Sequence, residues 1–224
     1  MNIHPEILSF AEIPALAEKS RRSVLLLRHS IRESLVNGNY DPGLTVEGRK
    51  YAVDCGKLLT GLKDVSFGAS PRQRTIETAQ ALIEGGNFPV SQETIRPCPE
   101  IYDHSMFESP QALEQAIDNG TIPMLFHQYF ATGKAEGMID AELFVAGLLD
   151  FLTKSEFKTK NTILCTHDIV IVTLLYFSKV RLFTPDDWCG YVQGAALFQE
   201  NDDSWRLAYT VPDAASRQPY SLFV

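Results

Sequence analysis

The sequence predicts an α/β protein: a three-layer α/β/α arrangement with a mainly parallel central sheet, a closing β-hairpin and an inserted helical cap. Three observations predict it. Apolar runs at residues 23–27, 64–69 and 162–166 are short and continuous, the pattern of strands buried on both faces of a parallel sheet. The first two runs are each followed by a stretch of helical length, giving the rhythm strand, helix, strand, helix. From about 87 to 160 that rhythm breaks, with Pro89, Pro97, Pro99, Pro110 and Pro123 among segments of helical character.

In chain order, residues 5–20 read as a short amphipathic helix leading into the strand at 23–27. A loop with Asn37-Gly38-Asn39 and Asp41-Pro42-Gly43 follows. Residues 44–59 then read as a helix, with Thr45 as N-cap and Glu47 in the first turn. The strand at 64–69 runs into Ser70-Pro71-Arg72-Gln73, which has the form of a capping box with proline at the first helical position. Gly85-Gly86 closes the helix this begins. Helices are expected near 110–118, 122–131 and 138–154, inside a cap at about 87–160 that belongs to one domain over 1–224. Residues 169–177 read as a buried helix, although Ile169-Val170-Ile171-Val172 is β-branched. Residues 192–199 and 205–210 form the hairpin around Glu200–Ser204.

The composition excludes several classes. With 45% apolar and 21% charged residues among 224, a full core is possible and wholesale disorder is not. Twenty basic against 28 acidic residues leave a net charge of −8, which argues against nucleic-acid and anionic-membrane partners. Cys55, Cys98, Cys165 and Cys189 are far apart, as expected of a reduced cytoplasmic protein rather than a disulfide or zinc framework. Residues 1–6 carry no basic run followed by an apolar one, so secretion is not expected. The most apolar run, 162–177, is broken by Thr166-His167-Asp168 and falls short of the roughly 20 residues that span a bilayer.

Three polar clusters share one topological address. Arg28-His29-Ser30-Ile31-Arg32, Ser70-Pro71-Arg72-Gln73-Arg74 and His167-Asp168 each begin where an expected strand ends. Ligands of doubly wound sheets bind beyond those carboxyl ends, so the clusters can converge. Arginine forks match phosphate oxygens in pairs, and a set of two histidines with several arginines favours a phosphoryl group.

These residues resemble the histidine phosphatase superfamily, which includes the cofactor-dependent phosphoglycerate mutases. The Arg-His-Gly signature appears as Arg28-His29-Ser30, with serine in place of glycine. The Leu-Thr-x-x-Gly helix start appears as Leu44-Thr45-Val46-Glu47-Gly48, and the Ser-Pro-x-x-Arg helix runs from Ser70 to Ala79. The second histidine follows a late apolar strand as Thr166-His167-Asp168.

The resemblance implies a small phosphorylated substrate, no metal or cofactor, and His29 as the nucleophile that becomes phosphohistidine. It implies that Arg28, Arg74 and His167 hold the phosphoryl oxygens, joined by Arg32, which matches an arginine of the acid-phosphatase branch. The acid that protonates the leaving oxygen is left among three carboxylates: Asp168 first, Asp103 second and Glu108 third. Asp168 equally suits the N-cap of the helix after it. Ser30 leaves the backbone beside the nucleophile open.

Arg72 reads as solvated, His4 and His127 as surface or packing residues, and Tyr102, Phe107, Phe126, Tyr129 and Phe130 as cap core. Three other functions compete with phosphomonoester hydrolysis. A mutase is disfavoured because residues 30–43 do not reproduce the mutase continuation of the motif. A two-metal hydrolase on His29, His167, Asp168 and Asp103 is disfavoured by arginines that repel cations. A non-catalytic phospholigand-binding module is the third. The substrate and the oligomeric state are not legible.

Overall fold

The computed structural model describes residues 2–34, 41–91, 94–154, 157–184 and 186–213. The elements in order are β1 (Asn2–Ser9), α1 (Ile13–Lys19), β2 (Arg22–Arg28), α2 (Val46–Lys57), β3 (Val65–Ala69) and α3 (Gln73–Gly86). Then come β4 (Arg96–Pro97), two 3-10 turns (Pro99–Ile101 and Asp103–Met106), α4 (Pro110–Asp118), α5 (Ile122–Thr132) and α6 (Ala141–Lys154). The chain closes with β5 (Asn161–Thr166), α7 (Asp168–Phe177), β6 (Gly194–Gln199) and β7 (Trp205–Val211).

The seven strands form one sheet in the order β1-β7-β6-β2-β5-β3-β4. Pairing is parallel except where β6 meets β2 and β7. This is the expected mainly parallel sheet, with β6 and β7 as its hairpin. Side chains alternate across β2, so Val24 and Leu26 join one core with α4, α5, α6 and α7, while Leu25 and Leu27 join another with α1, α2 and α3. Three layers result. The helices expected in the cap share their core with the sheet, since Leu113, Leu125 and Tyr129 belong to the cluster that contains Val24 and Leu164.

Two expectations are corrected. Residues 5–20 are not one helix: the chain up to Ser9 is an edge strand parallel to β7, and only Ile13–Lys19 is helical. Ile7 is 40% exposed and Leu8 only 1%, the two-residue alternation of a strand, and the pairing partner lies about 200 residues away where local pattern cannot show it. The register shifts between Ile3 and Ile7, around Pro5, which has no N–H to give a ladder.

The capping box at Ser70 does not form either. α3 begins at Gln73, with Arg72 at the N-cap position and no side-chain cap of its own. Asp41 supplies the cap, its carboxylate accepting from Gln73 N at 3.0 Å. The Asn37-Gly38-Asn39 turn lies outside the described residues.

α2 begins as expected, with Thr45 Oγ1 accepting from Gly48 N at 2.9 Å. Gly48 is needed for a packing reason: a Cβ there would lie 2.0 Å from the Ile31 carbonyl oxygen. Gly48→Ala must push α2 off the segment that follows β2. The expected cost is about 3 kcal/mol, and a fall in Tm of roughly 10 °C in a thermal melt checks it.

α7 is buried nearly all round from Ile169 to Leu175, so its β-branched residues lie in a helix because tertiary burial outweighs propensity. No helix among the described residues is long and apolar enough to cross a membrane.

Candidate active site

The parallel strands β2, β3 and β5 end side by side, with Arg28 opposite Thr166 and Ala69 opposite Cys165. The residues directly after them therefore meet: His29 and Ser30, Ser70, and His167. The His29 and His167 rings stand edge to face at 5.6 Å, both nearly fully buried. The chain continues from β4 through the 3-10 turns and brings Asp103 alongside, fixed by the Thr166 hydroxyl donating to the Ile101 carbonyl.

His29 Nδ1 lies 2.7 Å from the Ser30 carbonyl oxygen. A carbonyl only accepts, so Nδ1 carries the proton and Nε2 keeps its lone pair. Burial first, then the charges of Arg28, His167 and Arg74, hold its pKa well below the ordinary histidine value, against the pull of the Ser30 bond. The ring is a neutral base with one free nitrogen.

His167 is fixed by the same logic. Arg74 Nη2, which only donates, lies 3.3 Å from Nδ1, so the proton sits on Nε2 and is given to Ser70 Oγ at 3.0 Å. Ser70 in turn donates to Thr75 Oγ1 at 3.1 Å, and Thr75 to the Ser70 and Arg72 carbonyls at 2.7 Å. Burial pushes the His167 pKa down to about 4, with Asp103 opposing. Ser70, read as a helix cap, is instead the orienting partner of His167.

Arg28 is held at three points. Nη1 donates to the Cys189 carbonyl at 2.6 Å, Nη2 pairs with Asp168 Oδ2 at 3.1 Å, and the guanidinium lies 4.6 Å from the Tyr191 ring centre. The loop that does this contains Val192 at φ 57°, a left-handed conformation that is costly for a β-branched residue and is sustained by its burial. Its backbone brackets β2, with Arg28 N donating to Gln193 O at 2.8 Å and Val192 N to Arg28 O at 3.2 Å. Nothing in the sequence pattern marked this loop.

Arg74 lies in the first turn of α3 and is buried. Its contacts are His167, Asp41 at 3.5 Å and Asp103 at 4.0 Å. Its Nε has no hydrogen-bond partner among the described residues, and its Nη1 has only the 3.5 Å ion pair with Asp41, so donor capacity is buried and not fully used. Burial lowers its pKa most; Asp103 opposes, Arg72 and Arg32 add to the lowering, and Asp41 opposes. Arg32 is near enough to be felt by Arg74, but its own guanidinium donates to the Glu33 carbonyl at 2.8 Å and stays half-buried.

The three carboxylates separate. Asp168 is committed: besides Arg28 it accepts from Trp188 Nε1 at 3.0 Å and from Ile169 N at 2.9 Å. Burial pushes its pKa up, but Arg28, Trp188, His167 and the Ile169 N–H together outweigh it and leave the carboxyl below its usual range. His167 takes the N-cap position of α7 and Asp168 is the first helical residue. Asp103 lies 4.0 Å from Arg74 and 4.0 Å from His104 Nε2, and among the described residues its carboxylate accepts one hydrogen bond, from His104 N at 3.0 Å. Glu108 is exposed, and its side chain forms no hydrogen bond or ion pair among the described residues.

Arg72 is corrected from a solvated residue. It lies 4.9 Å from the Tyr102 ring centre and 3.0 Å from His104 Nε2, while Tyr102 and His104 stack at 4.2 Å. Guanidinium and imidazole thus form a wall next to Asp103. Asp41, Tyr102, His104, Trp188 and Tyr191 carry no sequence signal that marks them as site residues. The replacement of glycine by Ser30 also has an account: its N donates to Thr78 Oγ1 at 2.9 Å and its Oγ to the Gly48 carbonyl at 2.7 Å. The extra hydroxyl is spent on the backbone of α2. Among the described residues no three His, Cys, Asp or Glu side chains are grouped to hold a metal ion.

Residues 24–96 match the histidine phosphatase superfamily (branch 1). The chain overlays the phosphoglycerate mutase from Bacillus anthracis with a TM-score of 0.55 at 18% identity, covering 87% of this chain and 95% of that one. The fold is that of the phosphoglycerate mutase-like histidine phosphatases. A mycobacterial glucosyl-3-phosphoglycerate phosphatase in complex with inorganic phosphate shares this histidine phosphatase fold, at TM-score 0.57 and 19% identity over 88% of this chain and 99% of that one. In sequence, a 2,3-bisphosphoglycerate-dependent phosphoglycerate mutase of Bartonella henselae is 43% identical over 70 residues, 28% of this chain. That stretch spans 34% of the curated relative's length.

The buried histidines link the site to pH. In the unfolded chain both titrate near 6.5, and in the folded protein both lie lower. Above pH 6.5 neither state binds the protons and stability is full. As pH falls below 6.5, the unfolded chain takes up protons that the folded one refuses. Stability then drops by up to about 1.4 kcal/mol per pH unit for each histidine. For His167 this continues down to about pH 4. Urea unfolding from pH 7 to 4 is expected to show this slope, and His167→Gln to make it shallower.

Proposed function

We propose that the protein is a metal-independent phosphomonoesterase that passes the phosphoryl group of a small phosphate ester to His29 and then to water. The observation that carries the reading is His29 itself: a buried neutral imidazole whose Nδ1 is tied to Ser30 O, leaving Nε2 free beside Arg74 donors that are not fully used.

In the first step the Nε2 lone pair attacks phosphorus, a P–N bond forms, the P–O bond to the alcohol breaks, and the alcohol oxygen takes a proton from a carboxylic acid. In the second, water attacks phosphorus, the P–N bond breaks, and the carboxylate takes the water's proton. Arg28 and Arg74 face the charge on the non-bridging oxygens, with Arg32 at the rim. A dianionic phosphoryl group near His167 raises that histidine's proton affinity, so it too can donate. Asp103 takes the acid-base role in preference to Asp168, because Asp168 is spent on Arg28 and Trp188.

The phosphoglycerate mutase match favours a second reading, phosphoryl migration within one sugar acid. Incubation with p-nitrophenyl phosphate and a panel of esters in chelator separates the two. Release of inorganic phosphate, with a labelled phosphohistidine on acid-sensitive trapping, supports the phosphatase. Phosphate migration without release supports the mutase. The four free, buried cysteines fit a cytoplasmic setting.

A further inference from the structure

Beside the site, a groove of about 580 Å³ runs between α5 and α7, within the range of small-molecule sites. Ile122, Phe126 and Phe130 come from one face of α5, Ile169 and Val172 from α7, and Trp188 from the following loop. Phe126 and Phe130, expected as cap core, are only half-buried and form its walls.

Two features tie the groove to the phosphoryl site. Its lining begins at Asp168, the residue after His167, and follows α7 at 169, 172 and 176, about 12 Å along the helix. The indole of Trp188 and the guanidinium of Arg28 also meet on the same oxygen of Asp168, at 3.0 and 3.1 Å. A molecule whose phosphate lies between His29 and Arg74 therefore has an apolar wall directly adjoining it. Among the described residues that wall includes no lysine or arginine; its polar groups are His127, Tyr176, Trp188 and the carboxylate of Asp168, so it lacks the guanidinium or ammonium groups that grip a second phosphate or a carboxylate.

We propose that the substrates are phosphate monoesters of bulky, uncharged apolar alcohols, with the alcohol seated in this groove. The proposal rests on the phosphomonoesterase reading above and names its substrate class. The experiment has a kinetic and a binding arm. The kinetic arm measures kcat/KM for a straight-chain alkyl phosphate series and for phenyl and 2-naphthyl phosphate. The binding arm titrates naphthylmethylphosphonate, which is not hydrolysed, against methylphosphonate. Both are repeated in Ala131→Asp, which places a carboxylate at an exposed position of the lining and so tests the groove without disturbing the core.

The expected results are a rise of about fourfold in kcat/KM per added CH2 over the first members. The naphthyl phosphonate should bind at least tenfold tighter than the methyl one, and Ala131→Asp should shrink that ratio. A flat series together with equal phosphonate affinities, while hydrolysis still depends on His29, overturns the groove proposal and leaves the phosphatase reading standing. If no ester is hydrolysed, the phosphatase reading fails, and the phosphonate ratio alone decides the groove.

Discussion

His29→Ala is expected to lower kcat/KM for any phosphate ester by about 10⁴-fold or more, and to abolish the phosphoenzyme. The size follows from what the substitution removes. No other described side chain at the site offers a neutral nitrogen with a free lone pair, because the Nδ1 lone pair of His167 already faces Arg74 and its Nε2 carries the proton given to Ser70. The variant should still fold. Among the described residues the only side-chain hydrogen bond it loses is to the carbonyl of the adjacent Ser30, and the ring carries no charge whose loss would unbalance Arg28 or Arg74. Thermal melting within a few degrees of wild type, with activity lost and partly restored by added imidazole, is the expected pattern. Activity persisting in His29→Ala would rule out the covalent route.

The parts of this site that the sequence reveals are those where chemistry sits at the end of a pattern. Arg28, His29, Ser70 and His167 each follow a continuous apolar run, so the parallel sheet alone brings them to one edge. The parts it conceals are the partners that arrive by tertiary contact. Asp41 caps α3 from a loop 32 residues earlier, and Trp188 reaches Asp168 across 20 residues from a loop with no motif. Arg72 looks like a solvated helix residue until the stacked pair Tyr102 and His104 closes over it. The edge strand β1 is hidden for the same reason: its partner is β7, at the other end of the chain. Ser70 is the instructive misreading. Serine before proline at a helix start is a sound capping signal, yet here its hydroxyl serves a buried histidine, whose unmet N–H would cost more than an uncapped helix end that Asp41 covers from outside.

Asp103→Asn and Asp168→Asn are expected to fail in different ways, and the difference assigns the acid. Asp103→Asn should lower kcat for alkyl phosphates by roughly 10²–10⁴-fold, because an alkoxide cannot leave without a proton. For p-nitrophenyl phosphate, whose phenolate leaves unaided, the loss should be far smaller. KM should change little, since Asp103 touches Arg74 only at 4.0 Å. Asp168→Asn removes the counter-charge from Arg28, whose side chain is 4% exposed against 23% for Asp168. A buried arginine without its partner destabilises the fold by about 2–4 kcal/mol, less than for a fully buried pair because Asp168 keeps part of its surface in water. Arg28 would be free to drift from the grip set by Cys189 O and Tyr191, so KM should rise for good and poor leaving groups alike. If the leaving-group dependence appears instead in Asp168→Asn, the proton comes from the carboxylate bound to Arg28. That carboxylate would then have to leave Arg28 and Trp188 to accept a proton against a lowered pKa, which is the physical reason for placing the acid on Asp103.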